Sequence, residues 1–475
     1  MKKTNSKTTI KTFVTLILLC FYGYHNNVMG QYAVIVNFTG LSGAYSGGTP
    51  QTDQNVISDG TYIYGMTNGG GTSGLGVIYK VMPDGTNYSV LMDFTGALNG
   101  SKPEGSFIYD GTYLYGMTST GGTSNLGTLF KIKTDGTGYV KLKDFTGTLN
   151  GSTPKGSLIY DGTFLYGITS LGGAWGQGDI FKIKPDGTGY TNLYGFNTSI
   201  GLGLKGSLCS DGTYLYGMTN SGGLNNKGIL FKVMPDGTGF STLLNFNGAL
   251  NGANPLGSLT FDGTYLYGMT ENGGSSDYGV VFKILPNGTG YVKLNDFTGV
   301  VNGRNPKGSL IFNGTILYGM TRSGGSSNSG TIFNITTSGT YTKLWDFTGA
   351  AGGFPTGSLN LISGNLYGMT TSGGPIGAAN GTIFKYQLLA TNLNENNFID
   401  SFFISPNPSN GQMTIEKPEN MESCQLSVHN LMGELMYSEI IKERLTSINL
   451  NLKTGLYIVS LYNKGQKTTR KIIVE

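Results

Sequence analysis

The commonest nucleophile–base and zinc chemistries need histidine or cysteine beside a carboxylate, and this chain is poor in both. Of 475 residues, two are histidine and three are cysteine. His25 lies near the N-terminus and His429 near the C-terminus, so the long region between them offers no imidazole base. Cys209 stands alone there, in a stretch where it is expected to pack in the core. No catalytic residue, metal ligand or cofactor is therefore assigned. Carboxylates remain. Most aspartates recur in "DG" turns (Asp110, Asp161, Asp186, Asp211, Asp236, Asp262) or in a "DF" pair (Asp93, Asp144, Asp296, Asp346). Recurrence at equivalent places marks a structural task, and none stands in the D-x-D-x-D-G arrangement of a calcium loop. Glu104 and Glu271 break that pattern. A glycosidase needs two carboxyls about 5 to 9.5 Å apart. These two lie so far apart in the chain that their loops would have to bend into one common opening to meet.

A second group suits binding better than bond-breaking. Trp175 stands in "GGAWGQG", Asp277 and Tyr278 in "GGSSDYG", Arg304 in "NGRNP" and Arg322 in "RSGG". Aromatic faces among Asn, Ser and Thr could stack on the apolar side of a sugar and bond its hydroxyls. With Glu104 and Glu271 these are the candidate ligand-binding residues. Charge narrows the ligand. The formal net charge is +4, and four lysines lie within residues 1–30, leaving about zero for the rest. Nucleic acid and anionic membrane are not expected as partners.

The elements that must position these residues come from a repeat. The glycine of "YGM" or "YGI" falls at Gly65, Gly116, Gly167, Gly217, Gly268, Gly319 and Gly368, at steps of 51, 51, 50, 51, 51 and 49. Seven copies at a near-constant period mean a repeat architecture. Each copy parses into four strands, in the second copy "SFIYD", "TYLYGMT", "TLFKIK" and "YVKLKDF". Tight "DG" and "TDGTG" turns join the first pair and the last pair, since Gly accepts positive φ and Asp bonds its own backbone. A longer glycine-rich loop joins the second and third strands. The first three strands are apolar on both faces, as blades packed between neighbours require. The fourth alternates Lys141 and Lys143 with Val140 and Leu142, as an outer edge facing water would. The seventh copy stops at "GTIFKYQ" without a fourth strand, and "YAVIVNFTG" (Tyr32 to Gly40) supplies that phrase at the other end of the chain. The expected fold is all-β: a seven-bladed β-propeller over 31–387 closed by its N-terminal strand, and expected to be a monomer. Strand parity puts every "DG" turn on one rim. The long loops carrying the candidate residues share the other, where binding residues commonly sit.

The phrase "LYGMT..GG....GT.FKI..DG" resembles the tandem repeats called GloVer, found in exported bacterial proteins with various surface anchors. It is also kelch-like in strand order, although the tryptophan typical of kelch is missing from nearly all copies. The resemblance covers roughly residues 32–387 and says little about ligand.

The chain ends are of another kind. Residues 1–30 join a basic stretch, "MKKTNSKTTIK", to an apolar one, "TFVTLILLCFYGY", and close on "VMG", which reads as a cleavable signal peptide. The apolar run is too short for a comfortable membrane span. Residues 388–400 read as a polar linker, and 401–475 as alternating strands of a small Ig-like β-sandwich, with hairpins around Gly433 and Lys464–Gly465. Pro406, Asn407, Pro408 and Gly411 in "PNPSNG", Gly433 in "NLMGELMYS", Gly455 and Tyr457 in "TGLYIVSL", and Lys471 in "RKIIVE" resemble the C-terminal sorting domain of type IX secretion substrates in Bacteroidetes. That resemblance implies the type IX machinery as partner, passage across the outer membrane, and then release or surface attachment. The combined expectation is an exported, non-enzymatic binding module for carbohydrate or another surface polymer. An extracellular glycan-active enzyme using Asp or Glu, and a structural or adhesive surface protein, are the alternatives.

Overall fold

The computed structural model describes residues 31–51, 54–373, 380–388, 402–405, 409–417, 423–430, 435–452, 454–463 and 466–474. Residues 1–30, read above as a signal peptide, residues 389–400 of the stretch read as a linker, and Pro406, Asn407, Pro408, Gly433 and Lys464–Gly465 lie outside the described residues. The chain divides into two compact units, Met1–Leu388 and Leu389–Glu475.

Among its described residues the first unit contains seven four-stranded antiparallel sheets. Six are sequential. In the second blade the strands are Ile108–Tyr109, Tyr113–Thr118, Thr128–Lys133 and Val140–Asp144. The seventh joins Asn360–Ile362, Asn365–Thr370 and Thr382–Gln387 to Tyr32–Asn37, with Tyr32 opposite Tyr386 and Asn37 opposite Thr382. The N-terminal strand is thus the missing outer strand, and the unit is a closed seven-bladed β-propeller.

The core lies between blades, which is why the middle strands are apolar on both faces. Tyr64, Met66, Ile78 and Phe94 of the first blade pack against Phe107, Leu114, Phe130 and Ile132 of the second, all buried. The closing strand behaves alike. Tyr32 stacks on Trp345 of the sixth blade, with ring centroids 4.7 Å apart and planes 7° from parallel, and its hydroxyl donates to Ala351 O at 2.7 Å. Tyr139, Tyr190, Tyr291 and Tyr341 make the equivalent bond to the preceding inter-blade loop, at 2.8–3.1 Å.

The structure differs from the expected strand pattern in two respects. Each fourth strand carries a register shift at one place, in the second blade between Leu129 and Phe130 of the strand it pairs with. Strict alternation of Lys141 and Lys143 is broken there. Lys141 turns to Asp144 at 2.8 Å while Lys143 lies over the Tyr190 ring. Such bulges, with the lysines, make the outer edge a poor template for a further strand. The first strands are also shorter than "SFIYD", most of them two residues long, because the preceding Gly-Ser pair leaves the sheet to build the axis. Asn55 N donates to Ser106 Oγ, Ser106 N to Ser157 Oγ, and so on through Ser207, Ser258, Ser309 and Ser358, at 2.6–2.8 Å. Ser358 N returns to Gln54 O at 3.1 Å, closing a circle of bonds around the axis. The glycine before each serine lets neighbouring backbones touch: a Cβ on Gly105 would collide with Gly156 O, and the same holds from blade to blade round to Gly357 and Gln54 O.

The second unit has a three-stranded sheet of Phe403–Ser405, Gln412–Glu416 and Leu445–Asn449. Its other sheet orders Leu435–Ile441, Cys424–Asn430, Gly455–Asn463 and Gln466–Val474. Met413, Ile415, Leu426, Val428, Val459 and Ile472 are buried in one cluster, as a β-sandwich requires. Gly411 has φ +95° and its carbonyl accepts Leu450 N at 2.9 Å. Tyr457 is buried, Gly455 pairs with Val474, and Lys471 lies opposite Ile458.

Candidate functional site

The two rims differ in kind. On one, each "DG" aspartate is consumed by its own turn. Asp110 Oδ1 accepts Thr112 N and Tyr113 N at 2.8 and 2.7 Å, and Oδ2 accepts the Tyr115 hydroxyl at 2.8 Å. Burial works against the carboxylate, but these donors outweigh it and hold its pKa below the usual value. Asp59, Asp161, Asp211 and Asp262 repeat the arrangement. On the opposite rim, each inter-blade loop bridges to the second–third loop of the blade that follows. Ser101 pairs with Thr120 and Gly122 N donates to Gly96 O at 3.0 Å. Both long-loop families thus form one hydrogen-bonded face, and every candidate residue outside the sandwich lies on it.

Tyr278 and Arg304 are brought together, with the guanidinium carbon 5.3 Å from the ring centroid and Nη2 bonded to Asn328 Oδ1 at 3.0 Å. Tyr278 is half-buried against its inter-blade core. Asp277 is not a free carboxylate. Its backbone is left-handed (φ +58°) and its Oδ1 accepts Gly273 N at 2.8 Å, the same task that Asn125, Asn226 and Asn328 perform in their loops. Arg322 lies over Phe354, 5.6 Å from its centroid.

Trp175 is 66% exposed. Beneath it the third blade departs from its neighbours in a way the turn-and-"DF" inventory of aspartates passes over. In the first, second, fourth and fifth blades the last residue of the fourth strand is Asp or Asn, and its Oδ1 accepts a loop amide: Thr72 N to Asp93, Thr123 N to Asp144, Leu224 N to Asn245 and Ser275 N to Asp296. In the third blade that residue is Gly195, and its cross-strand partner is Asp179. The carboxyl has changed strands and fills the same space beside Gly173 that Asp144 fills beside Gly122. A Cβ on Gly195 would lie 3.2 Å from Trp175 Cδ1, so the indole rests where a larger residue would interfere. Asp179 is 2% exposed and its Oδ2 has no hydrogen-bond partner. Burial raises its pKa to about 6.

Glu104 and Glu271 do not form an unpaired carboxyl couple. Each is held by a lysine of the next blade, Glu104 by Lys155 and Glu271 by Lys307, both at 3.0 Å. Among the described residues no group of three or more His, Cys, Asp or Glu side chains could hold a metal ion. Cys209 and Cys424 are free thiols, and burial pushes Cys209 up to about 11. No described helix is long and apolar enough to cross a membrane.

The family described as Gloeobacter/Verrucomicrobia repeat matches residues 21–226 and 204–410, and the family described as secretion system C-terminal sorting domain matches residues 404–475. No curated protein matches the chain. Among solved structures, PorZ, described as a surface component of the type-IX secretion system of Porphyromonas gingivalis, is similar at 14% identity and a TM-score of 0.43, covering 92% of this chain and 61% of that one. An oligogalacturonate lyase from Vibrio parahaemolyticus is 12% identical with a TM-score of 0.46, covering 76% and 94%. TolB from Acinetobacter baumannii is 14% identical with a TM-score of 0.39, covering 60% and 64%.

Proposed function

The chain belongs to the Gloeobacter/Verrucomicrobia repeat family and carries a secretion system sorting domain, and from that premise we propose that it is a surface or secreted module that binds a carbohydrate polymer without cleaving it. The sorting domain implies export through the type IX machinery and an extracellular or cell-surface position. One observation carries the binding reading: the departures from repeat uniformity that could contact a ligand are gathered on the long-loop face, while the opposite face spends its aspartates on its own turns. An exposed indole at Trp175 offers a stacking plane, and the Tyr278–Arg304 pair a second one further round. Support for a non-enzymatic role comes from the carboxylates. The two glutamates are ion-paired, and neither is placed as the unpaired general acid that glycoside hydrolysis requires.

The test is a panel of soluble and cell-wall polysaccharides presented to the full chain, with binding and release of reducing ends measured on the same samples. Binding without new reducing ends, weakened by Trp175→Ala, is the expected result. Turnover that is lost on Glu104→Gln or Glu271→Gln would replace this reading with an enzymatic one.

A further inference from the structure

The third blade is where the repeat gives up a counter-ion. In the second, fifth and sixth blades the carboxyl that ends the fourth strand is paired with a lysine three residues earlier, Asp144 with Lys141, Asp296 with Lys293 and Asp346 with Lys343. Asp93 of the first blade has no such lysine but accepts Thr72 N at 2.8 Å. Asp346 Oδ1 has no donor, yet its Oδ2 keeps Lys343. Asp179 fills the equivalent space, and among the described residues its carboxyl has neither a hydrogen bond nor an ion pair. Where the lysine would stand is Asn192, whose side-chain amide donates to Leu149 O at 2.9 Å. The loop amide equivalent to Thr72 N is that of Ala174, and it makes no hydrogen bond among the described residues either.

An unpaired carboxylate at 2% exposure is expensive to keep. It lies beside the one indole on this face. Asp179 Oδ1 and Trp175 Cδ1 are 3.1 and 3.2 Å from the point that a Cβ on Gly195 would occupy, so carboxyl and ring both border the space which that side chain leaves open. An ammonium entering there gains from the carboxylate and from the aromatic face together. A neutral hydroxyl would supply a hydrogen bond and leave the charge unmatched.

We propose that Trp175 and Asp179 form a subsite for a protonated amino sugar, and that the polymer bound by the long-loop face carries free amino groups. This rests on the reading of that face as a polymer-binding surface. The ligand's ammonium takes the part that Lys141 plays for Asp144, and the sugar ring stacks on the indole. Because the indole rests over Gly195, it turns about its own side-chain bonds to admit the ligand.

The experiment titrates the full chain with chitosan oligomers and with the same oligomers after complete N-acetylation, which removes the charge and keeps the sugar. The charged oligomer is expected to bind at least tenfold more tightly. Asp179→Asn should abolish that preference, a loss of roughly ten- to a hundredfold for a charge-assisted bond. Asp179→Thr, which installs the residue that the second blade has at Thr128, should do the same. Trp175→Ala should weaken both oligomers. The melting temperature of Asp179→Asn should match or exceed the parent's, so that loss of the preference reports the site and not the fold. Equal affinity for the two oligomers, tighter binding of the acetylated one, or a preference that survives both Asp179 substitutions overturns the subsite and leaves polymer binding intact. Chitosan binding unchanged by Trp175→Ala overturns it as well. Binding to neither oligomer, nor to any member of the polysaccharide panel, overturns the surface reading itself.

Discussion

Replacing Asp179 by asparagine should make this protein more stable at neutral pH and leave it unchanged in acid. In the second, fifth and sixth blades the corresponding carboxylate is paired with a lysine three residues earlier, at 2.6–2.8 Å. Asp179 has neither that lysine nor a partner for Oδ2, and its pKa stands at about 6 against a usual value of 3.8. The folded pKa is raised, so the ionised carboxyl opposes folding above pH 6. As pH falls from 6 towards 4 the folded state takes up the proton first, and stability rises. A shift of about two units corresponds to about 3 kcal/mol at most, and solvent close to the loop brings the expected gain of Asp179→Asn at pH 8 nearer 1–2 kcal/mol. Urea unfolding at pH 8, 6 and 4 measures it. Both tryptophans, Trp175 and Trp345, lie in the propeller, so their fluorescence reports that unit. The gain should shrink through pH 6 and vanish near pH 4. A pH-independent difference, or a loss of stability in Asp179→Asn, would show that the carboxylate is satisfied where it stands.

Four further outcomes follow from the same structure. Deleting residues 31–40 removes the outer strand of the last blade and the Tyr32–Trp345 stack, so tryptophan-detected unfolding should lose cooperativity or the protein should aggregate; unfolding identical to the parent's would refute ring closure. Gly257→Ala places a methyl group against Gly308 O at the axis and should cost about 1–3 kcal/mol in urea unfolding, whereas Gly111→Ala, where the Cβ meets nothing, carries only the strain of its φ of +95°. Trp175→Ala should weaken a bound glycan by about 2 kcal/mol, roughly thirtyfold, while Asp161→Asn on the other rim should leave affinity unchanged and lower stability; the reverse pattern would put the binding face on the wrong side. Truncation after Leu388 should abolish surface delivery in a type IX-competent host, and fusion of 401–475 to a passenger should confer it, as cell fractionation would show.

The ring was legible because its evidence is periodic. A glycine ruler at Gly65 to Gly368 counts blades without any knowledge of packing, and the "YxxxxxF" phrase displaced to Tyr32–Phe38 can be matched by eye to Tyr139–Phe145. Strand parity then sorts loops from turns, and the bridge between Ser101 and Thr120 bears this out. What escaped was whatever depends on neighbours from different repeats. The pair "GS" at Gly105–Ser106 recurs in every later copy, yet only the axis shows that it bonds sideways rather than opening a strand. Asp179 had a signal too: the third copy lacks "DF" and carries "GDIF" instead. Reading the two as one event needs the cross-strand register that pairs Asp179 with Gly195. Asp277 misled for the opposite reason, since a charge in a variable loop hid a backbone task that asparagine performs elsewhere.

Closure by the N-terminal strand fixes an order of events. The Tyr32 hydroxyl and the carbonyl it bonds are 319 positions apart, so the first strand made must wait for nearly the whole ring before it has a partner. Until Thr382–Gln387 is available, a chain threading through a membrane holds one loose strand at its start and later one naked edge at its growing end. Pairings of such long range form slowly and leave unpaired backbone exposed in the meantime. Since the sorting domain follows the edge that the first strand must find, its emergence reports that every blade has already been delivered. A secretion system that engages this tail therefore handles chains for which ring closure is at last possible.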